Sequence, residues 1–280
     1  ARSSLIKELK KFNLKRLGYE ADHVSCTSLE IFKNELCGCE FENCASVMKK
    51  LRIIKNSEEL SRIRTAAEIA DSAFSHILTF AKIGMTEKDI ALELEFYMRK
   101  NGAEAVSFST IVAASERGAM PHAEPGDRII KSGDAVVMDF GCKYKGYCSD
   151  MTRTVFFGMA DDQQVRVYNS VLKAQTAALK EIKAGVAENV PDKAARLALA
   201  EYGFDKYFTH SLGHGVGVEI HEEPVMAPKR TGMLKEGMLV TVEPGAYLDG
   251  FMGVRIEDLV AVTKNGCENL TKSEKDVIIL

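Results

Sequence analysis

The residues best suited to chemistry are acids that recur in two matched stretches. KSGDAVVMDFGCKYKGYCSD runs from Lys131 to Asp150, and KEGMLVTVEPGAYLDGFMGVRIED from Lys235 to Asp258. At an offset of 104 residues Lys131 falls on Lys235, Gly133 on Gly237, Val136 on Val240, Gly141 on Gly245 and Gly146 on Gly250. The same offset sets Asp139 on Glu243, and each copy carries a second acid past its turn, Asp150 in YCSDMTRTV and Glu257 in VRIEDLVAV. Each copy reads as an apolar strand ending in an acid, a Gly-bearing turn and a return strand bearing the second acid. Four carboxylates in apolar surroundings repel one another and are costly to desolvate unless a cation compensates them. Between the copies, HSLGHGVGVEIH supplies His210, His214 and His221. Carboxylates with one or two imidazoles suit a pair of divalent metals bridged by a hydroxide. The bland alternative, a duplicated hairpin whose acids face water, needs neither matched acids nor a His-Gly loop between them.

Strand alternation refines the pattern. Arg255 and Glu257 share one face, where the guanidinium is placed to orient the carboxylate, and Asp258 takes the other. Asp150, Thr152 and Thr154 share a face, which makes Thr152 a candidate donor to a ligand carboxylate. Of six histidines, His122, His210, His214 and His221 lie near the acids or in the Gly-rich loop. His76 lies on an amphipathic helical stretch and reads as structural. Gly213, Gly215 and Gly217 are read as allowing backbone to approach a substrate closely.

The elements that must hold these residues repeat as well. Asn56 with Glu59 opens a long helix on which Leu60, Ile63, Ala67, Ala70, Phe74 and Ile77 recur at helical spacing, and Gly84 closes it. Thr86 with Asp89 starts a second helix that stops at Asn101-Gly102. The second half follows the same plan, with helices from about Asp162 to Lys183 and from about Pro191 to Tyr202. Two halves of two helices and a hairpin, related by a pseudo-twofold, give an α+β architecture with a curved antiparallel sheet inside and helices outside. Before them, Thr27 with Glu30 reads as a capping box for a short helix, and LGYEADHVS as the end of a strand.

Composition bounds the rest. The 280 residues suffice for one large domain and a small one. A net charge of −3 gives no electrostatic case for nucleic acid or an anionic membrane. No apolar run reaches the ~18 residues of a membrane span. The basic start, ARSSLIKELKKFNLKR, lacks the apolar core of a secretory signal, and without an initiator Met it is expected to belong to a longer chain. Seven cysteines, an odd count without a regular framework, fit reduced thiols and a cytoplasmic location. Cys37, Cys39 and Cys44 are read as free thiols in preference to a zinc site.

DFG followed eleven residues later by the Asp of SDMTRT, then HSLGHGVG, VEPG and RIED, stand in that order. Over roughly residues 53 to 280 the chain resembles the pita-bread metallopeptidases: methionine aminopeptidase, aminopeptidase P and prolidase. The resemblance implies metal ligands at Asp139, Asp150, His214, Glu243 and Glu257. It implies that His122 and His221 contact the substrate and stabilise the tetrahedral intermediate, that His210 lines the pocket after the scissile bond, and that Tyr247 and Arg255 support the site by hydrogen bonds. The implied reaction is hydrolysis of a peptide bond beside a free amino terminus by a metal-bridging hydroxide, with Glu243 as proton shuttle. Two divalent ions are expected, Mn2+ first on account of the oxygen-rich ligands, with Co2+, Zn2+ or Fe2+ as alternatives.

RIED, the LRIIKNSEELSRIR stretch and a remnant of an N-terminal domain over residues 1–52 are similar to aminopeptidase P and prolidase, which cut Xaa-Pro bonds. GHGVG…HEEP and TKNGCENLT are also similar to methionine aminopeptidase, but only fourteen residues separate Glu243 from Glu257. The resemblance favours Xaa-Pro specificity, a catalytic domain over 53–280, a peptide with a free N-terminus as partner, and admits a homodimer. Metal-free binding modules share the fold; the five retained ligand types argue against that class.

Overall fold

The computed structural model describes residues 2–280. The chain divides into two compact units between Arg52 and Ile53. The first pairs parallel strands Arg16–Tyr19 and Glu40–Asn43 with helices Arg2–Lys10, Cys26–Glu35 and Ala45–Arg52. Its middle helix starts earlier than Thr27 suggests: extended Ser25 is the cap, and its side chain accepts from the Ser28 amide.

The second unit opens with α1 (Ser57–Phe80) and α2 (Glu87–Lys100), each entered through a capping box, Asn56 with Glu59 and Thr86 with Asp89. On α1 Ile63, Ala67, Ala70, Phe74 and Ile77 are all buried, the stripe the spacing requires, and Leu60 is partly buried. After the two-residue strand Ala105–Val106 come β1 (Ile111–Ala114), β2 (Ala135–Phe140), β3 (Cys142–Tyr144), β4 (Tyr147–Cys148) and β5 (Met151–Phe156). β2 pairs antiparallel with β1 and β5, and β3 with β4.

The second half repeats this order. Helices α3 (Asp162–Glu181) and α4 (Asn189–Ala200) precede β6 (Gly213–Gly215), β7 (Glu222–Met226), β8 (Leu239–Val242), β9 (Gly245–Leu248), β10 (Met252–Arg255), β11 (Asp258–Val262) and β12 (Cys267–Asn269). β8 corresponds to β2, the β9–β10 hairpin to β3–β4, and β11 to β5. α4 begins at Asn189, before Pro191, because proline in a first turn forfeits no helical hydrogen bond. Val136, Met138 and Phe140 face α1 and α2 in one apolar core, while Val240, Val242 and Val260 face α3 and α4 in another. No helix among the described residues is long and apolar enough to cross a membrane.

The halves are joined through buried polar groups. Thr154 Oγ1 donates to the Arg255 carbonyl (3.0 Å), and the Glu257 amide donates to the Thr152 carbonyl (3.1 Å). Asp258 does take the face opposite Glu257, where Arg153 (2.8 Å), Gln175 (2.7 Å), Asn269 (2.8 Å) and Lys275 (2.6 Å) surround its carboxylate. Burial alone raises a carboxylate's pKa, but here Arg153 and Lys275 outweigh it and hold Asp258 below its usual value. Arg153 also donates to the carbonyls of Glu257, Ser273 and Glu274, so the strand beneath Glu257 is fixed from behind. Removing one partner leaves the other buried and uncompensated. Asp258→Ala is therefore expected to cost about 3–5 kcal/mol in denaturant unfolding followed by circular dichroism; a loss below about 1 kcal/mol would show that solvent reaches Arg153.

Candidate metal centre

The paired hairpins bring the four acids to one place. Asp139 lies on β2 between Ile111 of β1 and Thr152 of β5. Glu243 follows β8, while Asp150 and Glu257 each immediately precede a strand, β5 and β11. The second acid of each copy is thus not on the return strand, as alternation suggests. The turn is itself a hairpin, and its exit delivers the acid. At the neck of the first hairpin the chain crosses itself so closely that a Cβ on Gly141 would lie 2.0 Å from the Ser149 carbonyl oxygen.

His214 enters from β6. Its glycine neighbours make room for the protein's own chain: a Cβ on Gly213 would lie 2.0 Å from the Thr241 carbonyl oxygen, on Gly215 2.2 Å from that of Glu223, and on Gly217 2.4 Å from the Glu222 carboxylate. Gly213 and Gly215 let β6 pass between β7 and β8.

Asp150, His214 and Glu257 offer ligand atoms all within 4.8 Å of one another. His214 Nε2 lies 3.6 Å from Asp150 Oδ2 and 3.4 Å from Glu243 Oε1. Its Nδ1 donates to the Gly215 carbonyl (3.0 Å), so Nε2 turns a lone pair toward two carboxylates. Acceptor facing acceptor is favourable only around a cation or a proton. Asp139 Oδ1, Asp150 Oδ1 and Glu257 Oε1 are buried with no hydrogen-bond donor. Burial, then mutual repulsion, raises Asp150 and Glu257 well above the carboxylate range; burial is also the main cause that lifts Glu243 to about 7. Burial lowers the pKa of His214 and keeps the imidazole neutral. Unsatisfied oxygens, repelling acids and a neutral imidazole are the donor set of a divalent-cation site.

Around this cluster the side chains are held by one another. Thr152 Oγ1 donates to Glu257 Oε2 (2.7 Å), as alternation suggested. Arg255 does not bond Glu257. It reaches across the junction to Asp139 Oδ2, while its Nε donates to Thr152 Oγ1 (3.1 Å) and its Nη1 to the Tyr247 hydroxyl (2.8 Å). Thr152 already fills the place beside Glu257, and Asp139 needs a donor. His210 Nδ1 donates to the Ser211 carbonyl (2.8 Å), so Tyr247 donates to His210 Nε2 (2.8 Å). Burial, then Arg255, lowers His210 to about 4.

His221 lies edge-on to His214 with ring centres 4.4 Å apart, and burial lowers its pKa as well. His122 is exposed at the rim, on a loop following β1, and is an electrostatic neighbour of His210, His221 and Glu243. That loop rests on β10 so tightly that a Cβ on Gly253 would lie 1.8 Å from the Gly118 carbonyl oxygen.

Two contributors escaped the sequence reading. Thr241 Oγ1 donates to Glu243 Oε1 (3.0 Å) and accepts from the His214 amide (3.0 Å); its place two residues before Glu243 in extended chain was the available signal. Buried Lys55 pairs with Glu222 (3.0 Å), beside His221, across 167 residues, and no local pattern announces it.

Residues 61–264 match the model of metallopeptidase family M24, and residues 2–54 that of the creatinase/prolidase N-terminal domain. The chain is 44% identical over 272 residues to the uncharacterised peptidase YqhT of Bacillus subtilis, covering 97% of this chain and 77% of that one. It is 42% identical over 266 residues to the Xaa-Pro dipeptidase of Pyrococcus furiosus (95% and 76% covered). Its structure superposes with a TM-score of 0.94 on an Xaa-Pro dipeptidase from Bacillus anthracis at 44% identity, covering 100% of this chain and 78% of that one. An X-Pro aminopeptidase from Thermotoga maritima gives 0.93 at 38% identity (100% and 79% covered). Family match, identity and superposition agree with the duplicated α+β architecture: this chain has the pita-bread fold and belongs to metallopeptidase family M24.

Proposed function

We propose that this metallopeptidase hydrolyses Xaa-Pro bonds at the amino terminus of peptides or in Xaa-Pro dipeptides, using two divalent metal ions. The observation that carries the reading is the cluster of four acids, two of them facing a neutral imidazole, with three buried carboxylate oxygens lacking any donor. Asp139, Asp150, His214, Glu243 and Glu257 would hold the ions, and their oxygen-rich set favours Mn2+ over Co2+, Zn2+ or Fe2+. When bound, the ions supply a hydroxide nucleophile at neutral pH and polarise the scissile carbonyl.

The chain's own groups do the rest. Glu243, placed among the metal-binding acids with Oε1 3.4 Å from His214 Nε2, is suited to take up a proton and pass it to the leaving nitrogen. His122 and His221, on separate loops, donate to the carbonyl oxygen as negative charge builds there. His210 has both nitrogens engaged, so it offers an apolar ring surface, which suits the pyrrolidine of a proline after the scissile bond. Arg255 and Tyr247 keep Asp139 and His210 in register. The relatives named Xaa-Pro dipeptidase and X-Pro aminopeptidase support the specificity. Residues 1–52 belong, in this reading, to a creatinase/prolidase-type N-terminal domain, and seven free thiols support a reducing, cytoplasmic setting.

Three outcomes are expected. Chelation abolishes cleavage of an Xaa-Pro dipeptide or an Xaa-Pro-Yaa tripeptide, and Mn2+ restores it; release of Met alone from Met-Ala-Ser moves the protein to methionine aminopeptidase, and failure to bind any metal makes it a binding module. Glu243→Gln lowers kcat by about 10²–10⁴-fold, read from initial rates at saturating metal and substrate. In the metal-free protein Asp150, Glu243 and Glu257 have folded-state pKa values raised above their unfolded values, so their protonated forms favour folding. Stability is then lost as pH rises from about 4–5 through 7 and beyond, and calorimetry should show Tm falling over that range. Metal binding removes the slope; a metal-free Tm that climbs with pH contradicts the clustering of these acids.

A further inference from the structure

Two buried carboxylates outside the acid cluster have no part in the reaction, and they occupy corresponding places. Glu87 lies in the first turn of α2 and Asp192 in the first turn of α4, the second helix of each half.

Glu87 is fully buried. Its Oε1 accepts from the Ala114 amide (2.9 Å) and its Oε2 from the Gly126 amide (2.9 Å), while Arg117 Nε donates to both oxygens (3.1 and 2.9 Å). One carboxylate therefore ties together the two ends of the loop that carries His122. Arg117 Nη2 extends the tie to the Glu124 carbonyl (2.5 Å), two residues from that histidine.

Asp192 is built the same way. Its Oδ1 accepts from the Leu212 amide (3.2 Å), and Arg196 donates to both its oxygens (2.8 and 3.2 Å). Arg196 also donates to the carbonyls of Phe208 (2.8 Å) and His210 itself (2.6 Å), with its guanidinium 4.3 Å over the Phe208 ring. A buried carboxylate costs free energy unless its oxygens are fully engaged, and an arginine fork bonded to backbone resists rotation. In each half such a pair sits at the base of one histidine-bearing loop and engages its backbone.

We propose that Glu87 and Asp192 are a duplicated pair of positioning residues, acting on catalysis through His122 and His210 respectively by fixing the loops on which those histidines stand. The proposal rests on the reading that both histidines meet the substrate. It separates the two loops: each carboxylate governs its own histidine and not the other.

Glu87→Gln removes the charge and one acceptor, as does Asp192→Asn. By amide hydrogen exchange on the metal-loaded protein, Glu87→Gln should speed exchange across residues 114–126 and leave 208–212 unchanged, with the reverse for Asp192→Asn. This readout needs no activity; unchanged exchange in the targeted loop overturns the proposal even if the wild type cleaves no Xaa-Pro bond, an outcome that counts against the functional reading alone. On an Xaa-Pro substrate, Glu87→Gln should lower kcat about ten- to hundredfold, the scale of a misplaced catalytic group. Added to His122→Ala it should cost nothing further, whereas added to His210→Ala the two losses should multiply. Equal losses in both backgrounds mark a merely structural role and overturn the proposal. Should Glu87→Gln or Asp192→Asn fail to fold, Arg117→Lys and Arg196→Lys keep the charge but lose the fork, and read the same cycle.

Discussion

Repulsion between buried acids is the constraint from which most of this structure follows. Asp139, Asp150 and Glu257 are buried and Glu243 nearly so, where Coulomb interactions are strong. Apolar side chains could not hold such a group together, so positive and hydrogen-bonding groups are set on both sides of it. Arg255 bonds Asp139 in front, and Arg153 holds the Glu257 carbonyl from behind with its own counter-charge, Asp258. The charge that these arginines leave uncompensated is what suits the cluster to a divalent cation.

The imidazoles are adapted to the same constraint. His210, His214 and His221 are each driven by burial toward the neutral form, so none competes with a metal ion as a cation. What distinguishes them is the use of their nitrogens. His214 spends Nδ1 on a backbone carbonyl and leaves Nε2 for the acids, whereas His210 has both nitrogens occupied. The same Nδ1–H tautomer thus serves two ends, because a hydroxyl donates to Nε2 of His210 while carboxylates face Nε2 of His214.

Local signals and matched positions were legible in the sequence. The capping boxes at Asn56 and Thr86 and the buried stripe on α1 lie where their spacing says, because each is decided within one or two turns of chain. The duplication was legible because both copies carry the same turn glycines and acids. Partners across the junction were not. Alternation gives the face on which Arg255 lies but not that Asp139, 116 residues away, is what it meets. Nor can a count of glycines tell whether Gly213 and Gly215 make room for a substrate or for the neighbouring strands. That depends on β6 passing between β7 and β8, which only the assembled sheet decides.

The division of the acids between the halves has an evolutionary consequence. Each half contributes two, one near the end of β2 or just after β8 and one just before β5 or β11, and neither can gather four alone. A half-length ancestor with this hairpin would have made such a cluster only between two copies of itself, on the axis relating them. The cluster would then have had identical acids facing one another and matched loops on either side. Two copies within one chain are free of that identity. An imidazole on β6 has no counterpart on β1, where Val112 and Ala113 stand, and this marks where the halves have since specialised.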